Sequence, residues 1–165
     1  MHIRRATSAD FAELWPILKP VFRAGETYAI DRGITKAQVE QYWCKSPLAT
    51  YVAEDDAGPL GTYYLRPNQA GGGAHVCNCG YIVAAAARGK GVAAAMCLHS
   101  QQEALSAGFR AMQFNLVLES NAGAVRLWQS LGFKIIGTIP EAFAHPSLGF
   151  VDAHVMHKRL DPDTI

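Results

Sequence analysis

The segment Arg88-Gly89-Lys90-Gly91-Val92-Ala93 follows an apolar, strand-like stretch and begins a helical pattern. Its two glycines let the backbone approach a ligand closely, and the free N–H groups at a helix N-terminus favour an anion. Arg88 and Lys90 add positive charge at the same place. The segment therefore predicts a site for a phosphate or pyrophosphate, and the alternative is a glycine-punctuated loop before an ordinary helix.

Two better-known phosphate motifs fit this segment less well. The nucleoside triphosphate loop requires G-x-x-x-x-G-K-[ST], which the sequence lacks. Gly89-x-Gly91-x-x-Ala94 satisfies the dinucleotide fingerprint, but Phe114 and Asn115 stand where that motif needs an acidic residue. Too few strand-helix crossovers follow to build the dinucleotide fold, so a nicotinamide-dependent reductase is the weaker alternative.

Hydrophobic periodicity predicts the element order β-α-α-β-β-β-α-β-α-β-β. The predicted strands cover residues 2–5, 50–53, 60–65, 76–83, 111–117, 134–138 and 151–158. Hairpin neighbours are antiparallel, whereas the strand-helix-strand crossover in the middle of the chain makes one pair parallel. We therefore expect an α/β fold with a mixed, mostly antiparallel sheet of about seven strands flanked by four helices. Pro16 and Pro20 predict that the first helix is short or kinked.

Composition and charge narrow the choice of partners. With 165 residues and 50% hydrophobic content, the chain is expected to form a single domain spanning residues 1–165. A net charge of +1 without a dense basic run argues against nucleic acid and membrane partners, so we expect a small molecule. The N-terminal stretch lacks the apolar run of a signal peptide, and the four cysteines lack disulfide spacing, so we expect a cytoplasmic protein.

No metal site is predicted. Cys77 and Cys79 can share a strand face with His75, but no second ligand cluster with zinc spacing follows. His154 and His157 are three residues apart, and this offset sends their rings to opposite faces of a strand. Ordinary packing is therefore the expectation for these side chains.

A second motif strengthens the interpretation of the first. It is Asn121-Ala-Gly-Ala-Val-Arg-Leu127-Trp128-Gln-Ser-Leu-Gly132-Phe133, and it follows the next predicted strand. Together with Arg-x-x-Gly-x-Ala after Tyr81-Ile82-Val83, it resembles the two signature blocks of the GNAT (GCN5-related) N-acetyltransferases. The resemblance implies acetyl-CoA as cosubstrate and direct attack of an amine on its thioester.

The resemblance also implies roles for the residues around both motifs. The loop from Arg88 to Ala93 would bind the pyrophosphate of acetyl-CoA, and the backbone of Ile82 and Val83 would pair with the pantetheine arm. Asn121 would cap its helix, reach toward the cofactor, or do both. Trp128 stands where many members have a tyrosine that protonates the leaving thiolate.

An indole N–H cannot replace that tyrosine as an acid. Trp128 is therefore expected to pack on the cofactor or to donate a hydrogen bond to its sulfur. Tyr81 and Tyr28 are weaker candidates for the acid, and solvent can also protonate a thiolate whose pKa is about 8.5 by analogy with cysteine.

Two asparagines point to the acceptor. Asn78 and Asn115 lie on the two strands expected to diverge at the acetyl group, and asparagine is disfavoured inside strands. Their surroundings resemble a subgroup that includes the fungal N-acetyltransferase of proline analogues such as azetidine-2-carboxylate, in which the corresponding amides point into the substrate cleft. Both residues are candidate catalytic and substrate-binding residues, and the alternative is local backbone pairing or a bulge.

The loop Glu26-Thr27-Tyr28 would lie over the acceptor site in this fold. Thr27 and Tyr28 are expected to contact the substrate, and Glu26 is a candidate water-mediated base, although a loop glutamate is often merely solvated. The sequence thus predicts an acetyl-CoA-dependent N-acetyltransferase of a small-molecule amine, such as an amino acid or its analogue. The alternatives are a non-catalytic acetyl-CoA sensor and a protein or peptide N-acetyltransferase. Dimers are common in the family, so a homodimer is a further expectation.

Overall fold

A computed structural model describes residues 1–161 of the chain. Its strands are β1 (His2–Arg5), β2 (Ala49–Asp55), β3 (Gly58–Pro67), β4 (Val76–Val83), β5 (Ala111–Leu118), β6 (Lys134–His145) and β7 (Gly149–Arg159). Its α-helices are α1 (Phe11–Ala24), α2 (Lys36–Glu40), α3 (Val92–Ser106) and α4 (Ala122–Ser130). Within these residues the strands form one seven-stranded sheet in the order β1-β2-β3-β4-β5-β7-β6.

The sheet is mixed and mostly antiparallel, as predicted. β4 and β5 form its parallel pair, and α3 makes the crossover between them. Their ladder has only two residue pairs, Val76 with Ala111 and Cys77 with Met112. Beyond them the strands diverge, which leaves the C-terminal half of β4 without a neighbour on that side.

The first helix is longer than its prolines suggested. α1 runs for 14 residues with Pro16 and Pro20 inside it. It buries Phe11, Leu14, Leu18 and Phe22, which recur at the spacing of one helical face. Burying a large apolar side chain contributes about 1.5–3 kcal/mol, and four of them offset the loss of about 3 kcal/mol expected for each proline.

The helices pack on both faces of the sheet. On one face α1 and α2 cover a cluster that includes Trp43, Tyr64 and Ile82. On the other face the cluster contains Cys79 and Trp128, together with further residues of β4, β5, α3 and α4. Because side chains alternate along a strand, even-numbered positions of β3 and β4 face α1 and α2.

The four cysteines are free thiols. Cys77, Cys79 and Cys97 are buried in the core, and Cys44 is half-buried beside the end of α2. No helix among residues 1–161 is long and apolar enough to cross a bilayer.

Candidate active site

A cleft of about 270 Å³ opens where β4 and β5 separate. Its walls come from the loop after α1, from the helical turn that follows α2, from β3, β4 and β5, and from α4 with its N-cap. The lining residues are Thr27, Tyr28, Ala29, Ile30, Tyr42, Tyr64, Arg66, Asn78, Cys79, Gly80, Tyr81, Phe114, Asn115, Leu116, Val117, Leu118, Asn121, Ala124 and Trp128. The divergence of two neighbouring strands thus creates a gap that reaches both faces of the sheet.

Aromatic rings build the part of the cleft under α1 and α2. The rings of Tyr42 and Tyr64 meet edge to face with centroids 5.9 Å apart, and the Arg66 guanidinium lies 4.8 Å from the Tyr64 centroid. Gly80 is the cross-strand partner of Tyr64, and a Cβ there would be 2.6 Å from the Tyr64 ring. The absence of a side chain at Gly80 therefore lets Tyr64 lie across the strand.

Amide side chains connect the three strands around the gap. The Asn78 side-chain amide donates to the backbone carbonyl of Gln113 at 2.8 Å and so bridges β4 and β5 where their ladder has ended. The Gln113 amide donates to Asn115 Oδ1 at 2.9 Å, and the Asn115 amide donates to Asn68 Oδ1 at 2.7 Å. Both predicted asparagines therefore lie in the cleft, and both already have protein partners.

The loop after α1 contributes two of its three predicted residues. Thr27 and Tyr28 line the cleft, and the Tyr28 hydroxyl donates to the backbone carbonyl of Tyr81 at 2.9 Å. Glu26 is exposed and is not among the lining residues. The structure therefore brings Tyr28 to the open side of β4 but does not place the Glu26 carboxylate at the same point.

Burial keeps the phenols of the cleft protonated. Burial raises the pKa of Tyr28, Tyr64 and Tyr81 well above the ordinary value of a phenol. The Tyr81 hydroxyl lies 2.7 Å from Ser100 Oγ on α3. At neutral pH these side chains are hydrogen-bonding groups and cannot act as bases.

Successive residues of β4 direct their backbone groups to different neighbours. The carbonyl of Val76 accepts from the N–H of Asn68 at 2.8 Å on the β3 side. The carbonyl of His75 accepts from the N–H of Arg110 at 2.8 Å on the β5 side. Because these directions alternate along a strand, the odd-numbered residues of β4 direct their backbone groups away from β3.

The backbone groups of Tyr81 and Val83 therefore point into the gap. The family resemblance implied that Ile82 and Val83 pair with a pantetheine arm. The carbonyl of Ile82, however, points toward β3, where it would lie only 2.9 Å from a Cβ on Gly61. Ile82 uses its backbone within the sheet. Val83 therefore directs its backbone groups into the gap, and so does Tyr81, whereas Ile82 does not. The carbonyl of Tyr81 already accepts a hydrogen bond from the Tyr28 hydroxyl.

The glycine-rich segment forms an open loop before α3. Gly89 and Gly91 have φ of +75° and +78°, and a Cβ built on either one meets nothing within 4 Å. Gly91 is the N-cap of α3, and Arg88 and Lys90 are exposed beside it. The first N–H groups of the helix have no intrahelical acceptor, so this end suits an anion such as a pyrophosphate.

The second motif reaches the same cleft from α4. Asn121 is the N-cap of α4, and its Oδ1 accepts from the N–H of Ala124 at 3.2 Å. Trp128 lies about two turns further along the same helix. Its ring centroid is 5.1 Å from that of Tyr81 and 5.2 Å from that of Phe114. The capping role of Asn121 is observed, whereas the rings that Trp128 contacts here belong to the protein, and both residues line the cleft.

Sequence reasoning missed Arg66, Tyr42 and the carbonyl of Gln113 as parts of the site. One signal was present for Arg66, because it is the charged residue in the apolar run of β3 and lies two positions after Tyr64. Its pairing with Asn78 depends on the register between β3 and β4, which the sequence does not show.

Comparisons with known proteins agree with this geometry. The sequence model of the Acetyltransferase (GNAT) family matches residues 11–133. N-acetyltransferase aca1 of Schizosaccharomyces pombe is 32% identical over 150 residues, which cover 79% of this chain and 71% of that protein. The fold and the motifs define an acetyltransferase, and the chain belongs to the GNAT family.

Solved structures show the same architecture. A GCN5-related N-acetyltransferase from Kribbella flavida is 47% identical and superposes with a TM-score of 0.91, covering 96% of this chain and 97% of that one. The fold of yncA, a putative acetyltransferase from Salmonella typhimurium solved with acetyl-CoA, is also similar, with a TM-score of 0.81 at 22% identity over 98% of this chain and 94% of that one. This chain is therefore a GNAT N-acetyltransferase, as the sequence predicted.

Proposed function

We propose that the chain acetylates the amino group of a small molecule, an amino acid or an analogue of one. The observation that carries the proposal is the cleft at the split between β4 and β5. Its volume of about 270 Å³ lies below the range of about 300–1,000 Å³ typical of pockets for drug-sized ligands. Asn78 and Asn115 provide neutral amides in it, and tyrosines enclose it. Such a cleft suits a small polar acceptor better than a long peptide.

The cosubstrate would be held from the side of α3 and α4. Acetyl-CoA supplies an acetyl thioester, which an amine can attack directly. The α3 N-terminus with Arg88 and Lys90 would hold its pyrophosphate, and the open backbone groups of Val83 would pair with its pantetheine arm. The N–H of Tyr81 points into the gap and can stabilise the developing oxyanion, an interaction of about 3 kcal/mol per donor.

The residues of the cleft position the reactants and do not form a covalent intermediate. Holding amine and thioester in one gap removes much of the association entropy from the barrier. The amide groups of Asn78 and Asn115 would hold the acceptor, and Thr27 and Tyr28 would close over it. Trp128 would pack against the thioester end, since its indole cannot donate a proton to the thiolate.

Release of free CoA tests this function. Acetyl-CoA is incubated with amino acids, proline analogues, polyamines and short peptides, and acetyl-CoA binding is measured in parallel by calorimetry. Turnover of an amino acid or analogue supports the proposal, and turnover confined to peptides contradicts it. Tight binding without any turnover would indicate a non-catalytic acetyl-CoA sensor.

Two further expectations stay predictions. A homodimer is supported by the edge position of β6, which carries the exposed side chains of Ile135, Ile136 and Ile139. Light scattering of the purified protein measures its mass in solution and so tests the dimer. A cytoplasmic location is tested by fractionating the source cells.

A further inference from the structure

Arg66 is the charged side chain among the residues that line the cleft within residues 1–161. It is half-buried near the end of β3. No aspartate or glutamate in this part of the chain forms an ion pair with it, and no hydrogen bond there uses its five N–H donors. A half-buried cation in a cleft without carboxylates lacks the partner that such a group usually has.

Two aromatic rings hold this guanidinium in place. Its central carbon lies 4.8 Å from the Tyr64 centroid and 5.3 Å from the Tyr42 centroid. Such contacts fix the orientation of the planar group without occupying its donors. Tyr64 itself packs edge to face against Trp43, with ring centroids 4.9 Å apart. Arg66 is therefore preorganised, and its hydrogen-bonding capacity remains available to a ligand.

The position of Arg66 places it at the acceptor end of the cleft. Asn78 is its cross-strand partner, so the two side chains lie on the same face of the sheet. That face is covered by α1 and α2, away from the glycine-rich loop at the start of α3. A positive charge there repels an isolated ammonium group and attracts a carboxylate, which a guanidinium binds with two parallel hydrogen bonds.

We propose that Arg66 binds the carboxylate of the acceptor, so that the substrate is an amino acid or an analogue that keeps its carboxylate. This inference rests on the proposed function and selects among small amines. Free amines and polyamines lack the group that Arg66 recognises.

The test compares acceptors that differ only in the carboxylate. One set is azetidine-2-carboxylate, azetidine-2-carboxamide and azetidine, and a second set is alanine, alaninamide and ethylamine. Each is assayed with the wild-type protein and with Arg66→Gln, Arg66→Met and Arg159→Gln. Arg66→Met keeps an apolar stem against the tyrosines, and Arg159→Gln removes an exposed positive charge from the end of β7. The ratio of variant to wild type cancels differences in amine pKa between acceptors.

The expected result is a selective loss. Both Arg66 variants should lower kcat/KM about 10- to 100-fold for the carboxylates, because a hydrogen bond to a charged group contributes about 1.5–3 kcal/mol. The carboxamides and amines should change less than about threefold, and acetyl-CoA binding measured by calorimetry should be unchanged. Arg159→Gln should behave as wild type with every acceptor.

Other outcomes overturn the inference in distinguishable ways. An equal loss with all three members of a set would assign Arg66 a structural role. A wild-type protein that acetylates azetidine or ethylamine as well as the carboxylates would contradict the carboxylate inference and leave the proposed function intact. Turnover of peptides alone would contradict both.

Discussion

The side chain of Asn115 joins two other amides at the rim of the cleft. It accepts from Gln113 and donates to Asn68, and it is exposed toward the gap between the strands. An amide held at both ends has a fixed direction, so it can present one remaining lone pair or N–H to a ligand. Asn115 is therefore preorganised for a polar group of the acceptor.

Replacing Asn115 should separate acceptor turnover from cofactor binding. We expect Asn115→Ala to lower kcat/KM for the acceptor roughly tenfold, because one hydrogen bond is lost, and to leave the Kd of acetyl-CoA within about twofold. Steady-state kinetics and calorimetry provide the two values. Asn68→Ala removes a partner of Asn115 without removing a lining residue and should have a smaller effect. Equal losses in turnover and cofactor binding would contradict the assignment.

Gly80 controls the cleft through steric contact. A Cβ at this position would lie 2.6–2.9 Å from three atoms of the Tyr64 phenol, so Gly80→Ala should displace the ring. We expect about 1–3 kcal/mol lower free energy of unfolding and a higher KM for the acceptor. Gly137→Ala on β6 is the matched control, because nothing lies within 4 Å of its Cβ. Urea unfolding and acceptor kinetics measure both effects, and a Gly80→Ala protein indistinguishable from Gly137→Ala would contradict the account.

The sequence predicted site residues where their type was unusual for their element. Asn78 and Asn115 stood out because asparagine is rare inside strands, and both line the cleft. Arg66 did not stand out, because arginine near a strand end is common and its importance follows from its neighbours. Glu26 was expected to lie over the acceptor site, but the position of a loop side chain depends on tertiary packing that composition does not reveal.

At the scale of elements, the loop before α3 is expected to make most of the contacts with the pyrophosphate of acetyl-CoA. Its two glycines at positive φ avoid backbone strain and leave the helix N-terminus uncovered. Helix length matters here as well, because α3 spans 15 residues and carries a full helix dipole.

A pair of glycine replacements at the two ends of α3 can isolate this role. Gly91 and Gly108 have φ of +78° and +86°, and neither has an atom within 4 Å of its Cβ position. Replacing either by alanine should lower the free energy of unfolding by about 1 kcal/mol. Only Gly91→Ala should also raise the Kd of acetyl-CoA, by roughly tenfold, because a side chain at this positive φ is strained and would shift the loop that leaves the N-terminal N–H groups open. Calorimetry that shows equal Kd values for the two variants would contradict this anion site.

The ends of an element could be predicted where buried apolar residues mark them. β4 has the predicted bounds, since a run of apolar residues marks it, and Asn121 caps α4 as expected. β6 was predicted to end at residue 138 but continues to His145. Most of β6 is exposed, and Glu141 has φ of +49° at a register shift, so the extended part carries no hydrophobic alternation to detect.

At the scale of the whole molecule, the gap between β4 and β5 is open to both faces of the sheet, and different residues line it on each face. Arg66, Asn78 and Tyr64 lie on the side of α1 and α2. Tyr81, Trp128 and the α3 N-terminus lie on the other side. The fold was predictable because two motifs and the element order each indicated the same family. The acceptor site was harder to predict, because the residues that form it are distant from one another in the sequence.

The chemistry of this gap predicts how activity depends on pH. Its lining residues within 1–161 include no carboxylate, and its buried tyrosines keep their protons. The acceptor ammonium must lose a proton before it attacks, so kcat/KM should rise about tenfold per pH unit until the pKa of the acceptor amine. Two acceptors with different amine pKa values should therefore show different breaks in their pH profiles. A break at the same pH for both acceptors would instead indicate a protein base.

Because its cysteines are buried or half-buried, the folded protein should react slowly with thiol-reactive dyes. Burial raises the pKa of Cys44 to about 11 and that of Cys97 to about 12. It also raises the pKa of Cys79 well above the ordinary value of a thiol. The thiolate is the reactive form, so these side chains react slowly at neutral pH. A chromogenic disulfide added to the reaction would then report the thiol of the departing CoA continuously. A rise in colour without acceptor would reveal unfolding of the chain itself.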